Sequence, residues 1–131
     1  MTTTINASPT NGIVQTADGS GVLKVQSNGV TTNALAWLNY KGTATRAINA
    51  SYNVSSVTYN GTGDYSVNFT TALTDANYAG LIGVSDTPGL NRIGGAYTGT
   101  RTTSLFRVIT SAATTAAQTD NAEISVAIFG N

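Results

Sequence analysis

Residues Asn49–Thr71 constrain the fold more than any other stretch of this chain. Tyr65, Val67 and Phe69 alternate strictly with Ser66, Asn68 and Thr70, the period-two pattern of a β-strand with one wet face. An arm before it carries Tyr52, Val54, Val57 and Tyr59. β-Branched and aromatic residues of this kind suit a pleated, half-buried surface. The step from Val54 to Val57 breaks the alternation, so a bulge is expected near Ser55-Ser56. Between the arms, Asn60-Gly61-Thr62-Gly63-Asp64 supplies positive φ cheaply and predicts a hairpin loop of about five residues.

The rest of the chain repeats that grammar. Leu35–Tyr40 alternates with apolar residues on both faces, which suits an inner strand. Strands are predicted over Tyr78–Ser85, Ser104–Thr110 and Ala122–Phe129, the last with Ala122, Ile124, Val126 and Ile128 on one face. Thr74–Asn77 and Asp86–Gly89 are turn signals. Asn91–Arg101, with three glycines, is expected to be a flexible polar loop. Ser111–Asp120 is expected to be a loop or short helix. Before Leu35, short strand candidates at Ile13–Thr16 and Val22–Val25 are joined by glycine turns. The segment 1–34 is either extra strands on the same sandwich or an attachment arm, and 35–131 is the main domain. Eight to ten short strands with Gly, Asn and Asp turns predict an all-β fold, an antiparallel β-sandwich of short strands. A β-barrel and a trimeric interwoven β-prism stay open.

Composition narrows the function. The 131 residues carry a formal net charge of +0 and only 9% charged residues. The six Lys and Arg are scattered, so no basic face for nucleic acid is expected. No apolar run approaches the ~20 residues of a membrane-spanning helix. The start, Met1-Thr2-Thr3-Thr4-Ile5, has no basic region followed by an apolar run, and no signal peptide is expected. Leu, Ile, Val and Phe make up roughly a fifth of the chain. Small side chains bury little area against the entropy of ordering the chain. A thin core of this sort gains from intersubunit burial, so an obligate oligomer is expected.

The chain has no His and no Cys. That excludes Ser/His/Asp and Cys/His nucleophilic centres and removes the commonest zinc ligands. Paired carboxylates able to cut a glycan would come from Asp18, Asp64, Asp75, Asp86, Asp120 and Glu123. The five Asp all sit beside turn residues, where Asp bonds its own backbone. Glu123 is expected on a solvated face. We therefore expect no enzyme, cofactor or metal site. Trp37, the only Trp, is expected in the core or a subunit interface. Arg46 and Arg107 are candidates for pairing with carboxylates across subunits. The ligand-binding candidates are Asn91, Arg92, Tyr97 and Arg101: a glycine-rich loop exposes an aromatic ring for sugar stacking, with Arg and Asn to bond hydroxyls or carboxylates.

A segment Trp37-x-Asn39-Tyr40-x-Gly42-Thr43 is followed by Arg46 and then by Ala50-Ser51-Tyr52-Asn53-Val54-Ser55-Ser56-Val57-Thr58. Next come Asn60-Gly61-Thr62-Gly63-Asp64-Tyr65-Ser66-Val67-Asn68-Phe69, Asp75-Ala76-Asn77-Tyr78, Phe106-Arg107-Val108-Ile109-Thr110 and Val126-Ala127-Ile128-Phe129-Gly130. This order resembles the C-terminal, receptor-binding knob domain of bacteriophage tail fibres, especially those of marine and freshwater phages. The resemblance covers Leu35 to Asn131 and contains no catalytic motif. It implies a homotrimeric knob on a virion, made in the host cytoplasm, touching other virion proteins and host cell-surface polysaccharide. A capsid decoration (cement or head-fibre) protein is the alternative, with residues 1–34 as its gripping arm.

Overall fold

The computed structural model describes residues 25–28 and 30–130. The strand candidate Ile13–Thr16 and most of the proposed arm lie outside the described residues. Two antiparallel four-stranded sheets face each other as a sandwich. One sheet has the order β4-β3-β10-β7, built from β3 (Ala36–Lys41), β4 (Ala47–Tyr52), β7 (Ala79–Ser85) and β10 (Glu123–Phe129). The other has the order β5-β6-β9-β8, built from β5 (Val54–Gly61), β6 (Asp64–Phe69), β8 (Arg92–Ala96) and β9 (Leu105–Ala112). Ahead of them a small hairpin, β1 (Gln26–Ser27) with β2 (Val30–Thr31), forms its own two-stranded sheet. Among the described residues before Leu35, then, none forms a strand of either large sheet.

Alternation decides which side chains meet between the sheets. Tyr65, Val67 and Phe69 of β6 point inward, as do Phe106, Val108 and Thr110 of β9. They face Ala36, Leu38 and Tyr40 of β3 and Ile124, Val126 and Ile128 of β10. Two aromatic groups tie the layers together. At one end Tyr65 packs edge-on to Tyr40 of the facing sheet, with ring centroids 5.7 Å apart. At the other, Tyr78 stands edge-on between Phe69 and Phe106, 6.0 Å from each. The Tyr78 hydroxyl donates to the Leu105 and Thr102 carbonyls. Gly80 of β7 gives Phe106 its place, since a Cβ there would run into the Phe106 ring.

The organising hairpin is tighter than its sequence predicts. Gly61 pairs with Asp64, so the turn is Thr62-Gly63 alone, and the extra residue is taken up by an irregularity between Tyr59 and Gly61. The expected bulge lies between Val54 and Ser56. Tyr52 belongs to the other sheet: Asn53, at φ 53°, swings the chain across from β4 to β5. Its side-chain amide holds the corner by donating to the Leu35 and Thr71 carbonyls and accepting from Thr71 N–H.

One further expectation is corrected and two are narrowed. Asn91–Arg101 is not a flexible loop: Arg92–Ala96 is a strand paired with β9, and Thr98–Thr100 is a 3-10 turn. Gly94 is required there because Ile82 and Val84 pack where its side chain would be. Trp37 is not in the core. It points outward from an inner strand and is 40% exposed, while its neighbours Ala36 and Leu38 are buried. Ser111–Asp120 contains no helix; it turns back through a single bridge between Ser111 and Gln118.

Asp120 is the polar centre of the tyrosine end. Its Oδ1 accepts from the Tyr65 hydroxyl at 2.6 Å and the Gly63 N–H at 2.8 Å. Its Oδ2 pairs with Arg46 at 2.7 Å, and that guanidinium lies 3.6 Å over the Tyr59 ring. Burial pushes the Asp120 carboxyl up, but the bonds from Gly63, Tyr65 and Arg46 outweigh it and hold the group below its ordinary value. Arg46 therefore pairs within the chain, and Asp120 bonds across strands instead of capping its own turn. Burial, then the bond to Asp120, raises the Tyr65 hydroxyl far above the ordinary phenol range.

Gly63 sits at φ 68° with Thr110 O and Thr119 N where a Cβ would go. Gly63→Ala is expected to cost about 2–3 kcal/mol in urea unfolding, whereas Gly61→Ala, which meets open space, changes stability by less than about 0.5 kcal/mol. Equal losses would contradict this reading of the turn. Asp64, Asp86 and Asp120 all have lowered pKa values in the folded state. The stability they contribute is complete above the unfolded carboxylate pKa of about 3.9 and is lost as pH falls through the lower folded values. Melting temperature should be level down to about pH 5 and drop below about pH 4. In Asp120→Asn that acid drop should be shallower.

Candidate functional site

The two sheets present opposite chemistry to the outside. With Tyr65, Val67, Phe106 and Val108 turned in, β6 and β9 turn Asp64, Ser66, Asn68 and Arg107 out. Register aligns these into rows across the β5-β6-β9-β8 sheet. Thr58, Ser66 and Arg107 stand side by side, and Tyr97 extends the row by donating its N–H to the Arg107 carbonyl at 3.0 Å. A second row holds Ser56, Asn68 and Leu105, and a third holds Asp64, Ile109 and Gly95.

Side chains in these rows are ordered by one another. Arg107 Nε donates to Asp64 Oδ1 at 2.8 Å, and its Nη2 donates to Asp64 Oδ2. Such a two-point bond fixes the guanidinium plane. The bond from Arg107 is the main cause that holds the Asp64 carboxyl below its ordinary value, and the same bond raises Arg107. Asn60 Nδ2 donates to Asp64 at 3.1 Å and to the Ser66 hydroxyl at 2.9 Å. Asn68 Nδ2 donates to the Ser56 and Thr58 hydroxyls, each at 3.0 Å. The guanidinium of Arg107 lies 4.6 Å from the centre of the Tyr97 ring.

Tyr97 is 49% exposed at the edge of this array. Gly95, two residues before it on the same face, leaves a notch between Ile93 and Tyr97, and nothing lies within 4 Å of where its side chain would be. The result is a field of amides and hydroxyls bordered by Leu105, Ile109 and the exposed Ile93, with the Tyr97 ring standing at its rim. Its two charges, Asp64 and Arg107, cancel. Among the described residues no three carboxylates stand together as a metal site.

The four candidates from the sequence do not form one site. Arg92 and Tyr97 lie at opposite ends of β8, roughly 16 Å apart at strand spacing. Arg92 is engaged by Asp86, Nε to Oδ2 at 3.0 Å. Asp86 is held low chiefly by the Thr87 N–H, and then by Arg92. Asn91 uses its carbonyl to accept from Ala113 N–H. Arg101 turns toward the core: its Nη1 donates to the Tyr78 carbonyl at 3.0 Å, and its guanidinium lies over the Tyr78 and Phe106 rings. Of the four, Tyr97 alone stands in the polar field. Asn60, Asp64, Asn68 and Arg107, whose side chains build the polar field, were not among the four candidates. The outward alternation of β6 was the available signal, since Asp64, Ser66 and Asn68 occupy every second position.

The remaining carboxylates divide as follows. Asp75 bonds the Asn77 N–H at 2.6 Å, as its turn predicts. Glu123 faces out and accepts from Asn39. Arg107, expected to pair between subunits, is paired within the chain by Asp64.

No protein-family model matches the chain, and neither a curated protein nor a solved structure matches it.

The Arg107–Asp64 pairing predicts a resolved, slowly exchanging Nε–H signal for Arg107 in proton–nitrogen NMR. Asp64→Ala should return that signal to the position of free arginine without disturbing the Val67 and Val108 methyl shifts. An Nε–H that is averaged in both proteins would show that the pair is not formed.

Proposed function

We propose that this chain is a non-enzymatic bacteriophage virion protein, a tail-fibre or receptor-binding knob that attaches to host surface glycans through the outer face of the β5-β6-β9-β8 sheet. The phage assignment rests on the ordered resemblance that covers Leu35 to Asn131. The attachment role rests on one observation: an exposed Tyr97 ring beside a rigid field of Asn, Ser and Thr groups whose single ion pair is closed.

That chemistry suits sugars. A ring face accepts the C–H side of a pyranose, while amides and hydroxyls exchange hydrogen bonds with its hydroxyl edge. Asn68 Oδ1 and Arg107 Nη1 have no partner among the described residues, which offers one acceptor and one donor already held in place. Because Asp64 answers the charge of Arg107, the site favours neutral, hydroxyl-rich sugars over acidic polysaccharide. Each site is shallow and weak alone. Three copies in a homotrimer would hold a repeating polysaccharide by avidity, which raises apparent affinity by orders of magnitude without new contacts.

The test uses purified protein and host cells. Tyr97→Ala should weaken cell binding by roughly ten-fold or more, since loss of a stacking ring is worth over 1 kcal/mol per site and multiplies across sites. Its circular dichroism should match wild type. Added sodium chloride should change wild-type binding little, because the site is neutral. Full cell binding by Tyr97→Ala, or failure of the wild-type protein to compete with phage adsorption, would refute the proposal.

A further inference from the structure

We infer that the outer face of the β4-β3-β10-β7 sheet is the surface by which copies of this chain pack on one another. Pairing register sets Tyr52, Trp37, Ala127 and Leu81 in one transverse row across all four strands. Leu81 is 62% exposed and Trp37 40%. On the next strand position of β10 and β7, Phe129 pairs with Ala79, which continues the apolar surface. A neutral polar row, Asn39, Ser125 and Gly83, runs beside it. An uninterrupted apolar row on a sheet's outer face contrasts with the amides and hydroxyls of the opposite face, and patches of this kind mark interaction surfaces.

The relief of this face says that the occupant is a second copy. Leu81, Gly83, Ser125 and Ala127 stand at the corners of a hollow of about 310 Å³, floored by Ile82 and Val126. Gly83 creates the hollow by lacking a side chain, and Leu81 rises beside it. One face thus carries both a projection and a recess, which a self-complementary contact requires. Charge agrees. Lys41 and Glu123 flank the face at one end with opposite sign, so two copies meet without net repulsion. Size sets the strength. Four strands of about six residues present roughly 400 Å² in plan at strand spacing, about half of the ~800 Å² per partner in a standard interface. Association through one pair of faces is therefore concentration-dependent rather than permanent. A self-complementary face joins copies in pairs, so this contact is distinct from the three-fold assembly proposed above, and it does not depend on sugar binding.

Trp37, as the only Trp in the chain, reports on this surface directly. Sedimentation and Trp emission of the full chain would be followed from about 1 to about 100 μM, the range in which such a contact should form. The expected result is a rise in mass above the monomer together with a blue shift of Trp emission. Leu81→Lys should weaken self-association by roughly ten-fold or more, since it buries an unpaired charge. Gly83→Val should do the same by filling the hollow; its new Cβ would meet only Ser125 Cβ, at 3.8 Å, so the fold should be kept. Asn68→Ala, on the opposite face, should leave the mass unchanged. A monomer at every concentration, or an assembly indifferent to both Leu81→Lys and Gly83→Val, would overturn the inference. Assembly that Leu81→Lys dissolves, in a protein that binds no glycan, would uphold this inference and refute the sugar-binding reading.

Discussion

Phe106 fills the space that Gly80 leaves on the facing sheet, and the rest of the structure depends on that fit. Any side chain at position 80 would push the layers apart at the centre of a small core. Once Phe106 is turned in, alternation leaves β9 no freedom: Val108 and Thr110 follow it inward, and Leu105, Arg107 and Ile109 go out. Register then carries the choice to β6, where Val67 lies opposite Phe106 and Ser66 opposite Arg107. A slip of one residue in β6 would bury Asp64 and expose Val67, and one in β9 would bury Arg107 and expose Phe106. The polar outer field is in this sense a consequence of the apolar interior.

The two ends of the sandwich are closed by different means. Around Tyr78 the closure is aromatic and amphipathic, with the hydroxyl bonded to backbone carbonyls and Arg101 lying over the rings. Around Tyr65 it is ionic. Asp120 reaches back to the hairpin turn through Gly63, to the core through Tyr65 and to the surface through Arg46. A carboxylate with that many partners is fixed in place, so the tight Thr62-Gly63 turn, and with it the start of β6 at Asp64, is held in register from outside the hairpin. The Asp64 side of its ion pair with Arg107 is thereby positioned by Asp120, which bonds Gly63 across 57 positions of sequence.

How much of this the sequence disclosed depends on whether the signal was local. Alternation in β6 and β10, the bulge at Ser55 and the self-bonding of Asp75 and Asp86 are short-range features, and each was legible. β8 was not, because Gly94 serves packing by making room for Ile82, and glycine in sequence reads as a loop. Asp64 and Arg107 are 43 positions apart, and no spacing rule joins them before strand order is known. Arg92 and Arg101 were chosen for their chemistry beside Tyr97, but Asp86 and Tyr78 claim them. For Trp37 the sequence left core and subunit interface open, and the core position fell away because its neighbours Ala36 and Leu38, one step off in the alternation, took the inward positions.

The outcome is a sandwich whose two outer faces differ in kind, one an ordered polar field and the other an apolar row with a hollow. Our central claim is that the polar field around Tyr97 is what meets the host surface. The most direct measurement is an NMR titration of the labelled protein with polysaccharide extracted from host cells. The account predicts shifts concentrated at Asn60, Asn68, Gly95, Tyr97 and Arg107, with the Trp37 indole unmoved. Shifts centred on Trp37 and Leu81, or none at all at saturating polysaccharide, would contradict it.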